Sequence, residues 1–256
     1  MTCRKIRVWR LLWPHTSLPF PSQIAPILIN LFFALFLAAQ APAPLLRTLQ
    51  LQAPRINPNA LATAVSAVDC ACRIGAAKPS SRLTVIDYSL PSTEPRIWVF
   101  DLDRRKLLFE ELVAHGKNSG DNVPERFSNR PGSLMSSLGL FLTGTTYEGH
   151  NGYSLRLEGL EPGINDRSEE RAIVMHGASY VSQQIAARNG RLGRSWGCPA
   201  VRPQISRPLI DAIKDGSFLF AYYPNSAWST KSKFGHCSAP PARARAATPI
   251  AGATSS

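Results

Sequence analysis

No Cys-x-x-Cys pair occurs in this 256-residue sequence, and no cysteine stands at the spacing of a zinc knuckle. The first absence disfavours a thiol-disulfide exchange protein. The second disfavours a zinc site, since a single residue separates Cys70 from Cys72 and Cys198 has no nearby cysteine or histidine in sequence. Lys/Arg-rich runs with interleaved aromatics are missing, as are finger and helix-turn-helix patterns, which argues against nucleic acid as a partner. There is no internal repeat. No metal and no cofactor is expected.

Acidic residues are few, 17 against 29 Lys plus Arg, for a formal charge of +12. Arg4, Lys5, Arg7 and Arg10 make a cationic start, and Ile24 to Ala39 form an uncharged apolar run followed by Ala41 and Ala43. The run suits the apolar region of a signal peptide and is short for a membrane span of ~20 residues. Residues 1–43 therefore read as an export signal, with an uncleaved signal anchor as the rival reading. Membrane contact is expected only in that second case. Without residues 1–43 the chain keeps 25 Lys plus Arg against 17 Asp plus Glu, a charge of +8. Such a body suits an anionic cell wall, in the periplasm or cell envelope.

Residues 44–80 read as a helical lead-in, with Asn57 or Asn59 capping a helix through LATAVSAVDCACR that ends near Gly75. Residues 81–225 carry short β-rich runs: LTVIDY (83–88), RIWVFDL (96–102), KLLFEELVAHG (106–116), YSLRLEGL (153–160), RAIVMHG (171–177) and SFLFAYY (217–223). They are parted by Gly, Pro, Asn, Ser and Asp, with one short helix at Ile205 to Lys214. A mainly β sandwich or barrel with minor helices is the expected fold class. Residues 226–256 read as an Ala/Pro/Ser-rich disordered tail, the composition of 238–256 in particular offering almost nothing to a core. One length of chain suggests one core. Oligomeric state is not legible.

In an oxidising compartment Cys70 or Cys72 is a candidate partner of Cys237, but no pairing follows from the sequence. Cys198 stands apart, in the loop GRLGRSWGCPAV (190–201). A thiol nucleophile needs a base and donors for the oxyanion it creates. His176, ending the run RAIVMHG, is the candidate base, with the carbonyl of Gly177 to orient its other ring nitrogen. Consecutive N–H groups of Gly197 and Cys198 are the candidate oxyanion donors. The bland reading of the same residues is a buried cysteine and a core histidine.

Five segments in order, HGKNSG (115–120), FSNRPGSLMSSLG (127–139), YSLRLEGL (153–160), MHGASYV (175–181) and GRLGRSWGCPAV, resemble the murein L,D-transpeptidase catalytic domain family, in its YkuD-like branch with tryptophan in the cysteine motif. The resemblance covers roughly residues 80–225. It implies a mostly β catalytic fold, Cys198 as nucleophile and His176 as base, with Ser195, Trp196 and Gly197 around the thiol. It also implies peptidoglycan stem peptides as the partner, with D-alanine released through a thioester on Cys198. Attack by a second stem's amine gives a crosslink, whereas attack by water gives an L,D-carboxypeptidase with the same residues. A catalytically inert wall-binding module is the remaining alternative. The chain departs from the wider family in carrying Trp196 where a second histidine is usual, in a longer spacer from His176 to Cys198, and in Pro199-Ala200 after the thiol.

Arg191 and Arg194 are candidates to pair with stem-peptide carboxylates and to depress the thiol pKa. Tyr180 and Trp196 are candidate walls of the cleft. Asn118, Ser119 and Ser128 read as turn residues, and His115 and His150 as structural.

Overall fold

The structure, a computed structural model, describes residues 43–235 and Cys237. The expected export signal lies almost wholly outside the described residues, as does the tail beyond Cys237.

Two helices open the described chain. Helix α1 (Ala43–Gln52) buries Leu45 and Leu49. Helix α2 (Pro58–Arg73) starts where Asn57 accepts the Asn59 N–H at 2.9 Å and Pro58 supplies a first residue with no N–H to satisfy. Its buried stripe includes Leu61, Ala64, Val65 and Val68 and packs on β1 (Arg82–Asp87) and β9 (Phe218–Tyr222). Each large side chain so buried contributes about 1.5–3 kcal/mol. The helices thus belong to the core rather than preceding it as a separate lead-in.

The remaining strands are β2 (Ile97–Asp101), β3 (Lys106–Glu111), β4 (Val113–Ala114), β5 (Gly139–Gly149), β6 (Gly152–Gly159), β7 (Val174–Gly177) and β8 (Ala200–Val201). All nine form one mixed sheet in the order β3-β2-β1-β9-β5-β6-β7-β8-β4, parallel at β1–β9 and β7–β8. Strands β3 and β4 are neighbours in sequence, with only Leu112 between them, yet stand at opposite ends of this order. The sheet must curl until its edges approach, and Arg202, just after β8, holds Glu111 at the end of β3 through a two-nitrogen ion pair. The fold is mainly β with a nearly closed sheet.

Helix α3 (Gln183–Asn189) is capped by Ser182 and closed by Gly190 in the left-handed region, and a small apolar cluster of Leu112, Val181, Ala186, Leu192 and Ala200 includes one of its residues. Helix α4 (Pro203–Ile213) packs on β1, β6 and β7. The tail expected from residue 226 does not begin there. Helix α5 (Ser226–Lys231) buries Trp228 against Phe220, their rings 5.2 Å apart; Phe234 is buried beyond it, and Cys237 is bonded to Cys70. Two aromatic side chains in this stretch supply the burial that the more distal composition lacks.

Candidate active site

His176 and Cys198 are brought together by β8, a strand of two residues. Strand β8 pairs in parallel with β7, placing Ala200 opposite His176, so the thiol lies two residues before the base's own register partner. Both side chains line one cavity of about 330 Å³, with His150, Asn151, Arg171, Ala172, Tyr180, Arg194, Ser195 and Trp196. His150 and Asn151 arrive there because they form the tip of the β5–β6 hairpin, where Gly152 turns the chain at φ +71°.

The ring of His176 is buried, and its Nδ1 lies 2.9 Å from the Gly177 carbonyl. Donation from Nδ1–H to that oxygen leaves Nε2 as the basic nitrogen of a neutral imidazole. Burial favours this neutral form and pushes the His176 pKa below its ordinary value, more than the Gly177 bond raises it.

Cys198 is buried too. Its thiol donates to the Ala172 carbonyl at 3.7 Å and accepts the Val174 N–H at 3.5 Å. Among the described residues no hydrogen bond joins it to His176. Burial raises the Cys198 pKa, while the Val174 N–H, the Arg171 guanidinium and the cysteine's own N–H pull it down.

The loop before the thiol is held by neighbouring backbone rather than by its own regular structure. Ser195 N–H donates to the His115 carbonyl and Lys117 N–H to the Ser195 carbonyl, at 2.9 and 2.8 Å. Ser136 Oγ, which accepts the Gly116 N–H, donates to the Gly197 carbonyl. Gly116 is required by this approach, since a Cβ there would meet the Leu134 carbonyl at 2.6 Å. Gly197 has φ +128°, which L side chains rarely adopt, and a Cβ on it would meet the Met135 carbonyl at 2.8 Å. His115 is wholly buried. Its Nδ1 lies 2.7 Å from Arg96, and burial, then the Arg96 charge, lowers its pKa to about 3.

Ser195 Oγ accepts the Gly197 N–H at 3.1 Å and donates to the Cys198 carbonyl at 2.6 Å. The Gly197 N–H, one of the two expected oxyanion donors, is thus engaged inside the loop. The Cys198 N–H faces its own sulfur.

The arginines also differ from expectation. Arg191 is not among the lining residues; it pairs with Asp121 at 2.8 Å. Arg194 lines the cavity, but its guanidinium donates to the Gly120 carbonyl at 2.8 Å and lies 3.4 Å from the same Asp121. Arg171, at the head of a run read from sequence as strand, lines the cavity together with the thiol. Tyr180 walls the cavity, its pKa pushed up to about 12 by burial and then by the Cys198 charge. Trp196 is 74% exposed at the mouth, an unusual place for a large apolar ring.

A larger cavity, of about 490 Å³, lies between α2 and the C-terminal segment, and none of its described lining residues is a cysteine, histidine or acid. Among the described residues no three His, Cys, Asp or Glu side chains are placed to hold a metal, and no helix is long and apolar enough to cross a membrane.

The family model of the L,D-transpeptidase catalytic domain matches residues 52–222. No curated protein matches the chain. Solved structures similar to it include an L,D-transpeptidase from Mycobacterium smegmatis, at 12% identity and a TM-score of 0.36 over 57% of this chain and 60% of that one. L,D-transpeptidase 1 of Mycobacterium tuberculosis is 12% identical, with a TM-score of 0.33 over 57% of this chain and 63% of that one. A fused Zn-dependent amidase/peptidase/peptidoglycan-binding domain-containing protein from Clostridium acetobutylicum is 17% identical, with a TM-score of 0.33 over 65% of this chain and 62% of that one. The chain spans about three fifths of the length of these solved chains.

Proposed function

Because the chain belongs to the L,D-transpeptidase catalytic domain family, we propose that it is a cysteine-dependent murein L,D-transpeptidase of the cell envelope, acting on peptidoglycan stem tetrapeptides. The observation that carries this reading is the shared cavity of a buried thiol and a neutral histidine whose Nδ1 is tied to a backbone carbonyl.

The steps follow from these groups. His176 Nε2 removes the Cys198 proton as the side chain leaves the Ala172 carbonyl; contacts of this kind tighten when substrate fills the site. The thiolate attacks the carbonyl at the L-centre of diaminopimelate, and the Cys198 N–H faces the oxyanion. The carbon–nitrogen bond to D-alanine breaks, the leaving amine takes the proton from His176, and a thioester on Cys198 remains. A side-chain amine of a second stem then attacks, loses its proton to His176, and expels the thiol to give a 3-3 crosslink. Trp196 and Tyr180 wall the cavity in which the acceptor amine must outcompete water for the thioester.

Incubating the full chain with disaccharide tetrapeptide, and following products by mass spectrometry, tests the proposal. Release of D-alanine with a crosslinked dimer, both absent in Cys198→Ala, is the expected result. A tripeptide in place of the dimer would make the protein an L,D-carboxypeptidase. No turnover, with no carbapenem adduct on Cys198, would leave an inert wall-binding module.

A further inference from the structure

We propose that Arg171 is a positioning residue of this site: it supplies the counter-charge that stabilises the Cys198 thiolate once His176 has taken the proton. The inference rests on the Cys198 reading above and adds to it a residue outside the cysteine and histidine motifs.

The anchoring of Arg171 is the argument. Its guanidinium is half-buried and donates to the carbonyls of Ser128 and Met135 and to the hydroxyls of Ser133 and Ser137. All four acceptors are neutral. Among the described residues no carboxylate lies within ion-pair distance of Arg171, whereas Arg191, Arg194 and Arg202 each have one. Withdrawing a cation from water without a counter-charge is costly, and folds pair such groups with anions. The group that fits the role is on the page: one guanidinium nitrogen lies 3.3 Å from where a Cβ on Gly197 would be, directly before the nucleophile, and Arg171 lines the same cavity as Cys198. The segment 128–137 therefore fixes a positive charge next to Gly197 in the wall of the cavity that holds the sulfur, where a charge inside a poorly solvated site acts more strongly than in water.

Other groups facing the sulfur do not duplicate this charge. Arg194 is engaged with Gly120 and Asp121, His176 is held neutral by burial, and Tyr88 and Tyr180, their pKa values pushed up chiefly by burial, are neutral and bring no positive charge. His150 lies at the hairpin tip across the cavity.

The test is the pH profile of Cys198 alkylation by iodoacetamide, read by mass spectrometry of the Cys198 peptide in the full chain. This readout needs no stem peptide, so it stands apart from the failure of the transpeptidase reading. Arg171→Gln is expected to raise the apparent thiol pKa by about one unit and to slow alkylation at neutral pH about tenfold. Arg171→Lys keeps the charge and is expected to stay close to the parent profile. Ser133→Asp leaves Arg171 in place but offers it a carboxylate, and is expected to shift the profile in the same direction as Arg171→Gln. An unshifted profile in folded Arg171→Gln overturns the proposal; should that variant not fold, an unshifted profile in Ser133→Asp does so. A profile in Arg171→Lys displaced as far as in Arg171→Gln also overturns it, since shape and not charge would then be what Arg171 supplies.

Discussion

Removing the bridge between Cys70 and Cys237 is expected to destabilise the whole domain, not just its C-terminal end. The bond ties α2 to a segment 167 residues further on. A cross-link over a loop of that length restricts the unfolded chain by about 5 kcal/mol in the loop-entropy model, and measured losses for native bridges fall at about 2–5 kcal/mol. The segment has other anchors: Trp228 on Phe220, buried Phe234, and Ser232 bonded to the carboxylate of Glu161, which also accepts the Leu140 N–H. These hold it in register with the sheet, so the constraint is felt by the cooperative core. Urea unfolding of a Cys70→Ala/Cys237→Ala variant measures the effect. With an m-value of about 2.5 kcal/mol/M for a domain of this size, the midpoint is expected to fall by about 1–2 M. The cavity around Cys198 shares no lining residue with this segment, so Cys198 alkylation in the folded variant is expected to match the parent. A midpoint shift below about 0.3 M would refute the reasoning, because the segment would then detach without loosening the core.

His115 gives a stability change with pH of definite sign. Its folded pKa, about 3, lies below that of an unfolded histidine, so protons bind the unfolded chain preferentially as pH falls below ~6.5, and stability is lost in that window. Between pH 7 and pH 5 the loss in urea unfolding is expected to be smaller by about 2 kcal/mol in His115→Asn than in the parent. Ser195→Ala leaves the Gly197 N–H and the Cys198 carbonyl without their partner, which costs about 1–3 kcal/mol in denaturant unfolding. His176→Gln removes the base, and D-alanine release is expected to fall by about 10²–10⁴-fold in the mass-spectrometric assay, with little change in the unfolding midpoint.

The sequence made the framework legible where local chemistry decides it. Asn57 and Pro58 announce the start of α2, and the alternation in YSLRLEGL marks β6. Strand β5 escaped because GLFLTGTTYEG mixes glycine and threonine around a bulge between Thr143 and Thr146, which breaks the period of two. The placement of His176 and Cys198 in one cavity agrees with a reading of motifs, whereas the partners of the arginines depend on non-local contacts. Asp121 claims Arg191 and Arg194 from a distant loop, and only the fold shows it. Arg171 hid inside RAIVMHG: Ala172 turns the backbone at φ +51°, so the strand starts after it at Val174 and the charge faces the cavity. A lone arginine heading an apolar run that ends in histidine was the available signal.

Strand β8 is only two residues long, yet it divides the chain between His176 and α4 into stretches with different freedom to change length. Ala178 still donates to the Val201 carbonyl and Leu192 is buried, but α3 between them stands off the sheet, so residues added or removed within it are expected to alter the rim of the cavity without altering where base and thiol meet. From Cys198 to Ala200 no such slack exists, because Ala200 is fixed opposite His176 and bonded to β4 beyond. One residue inserted at Pro199 would carry the sulfur out of step with the imidazole. The long spacer is therefore a place where this scaffold accepts grafted loops, and the three residues that follow it are where it accepts none.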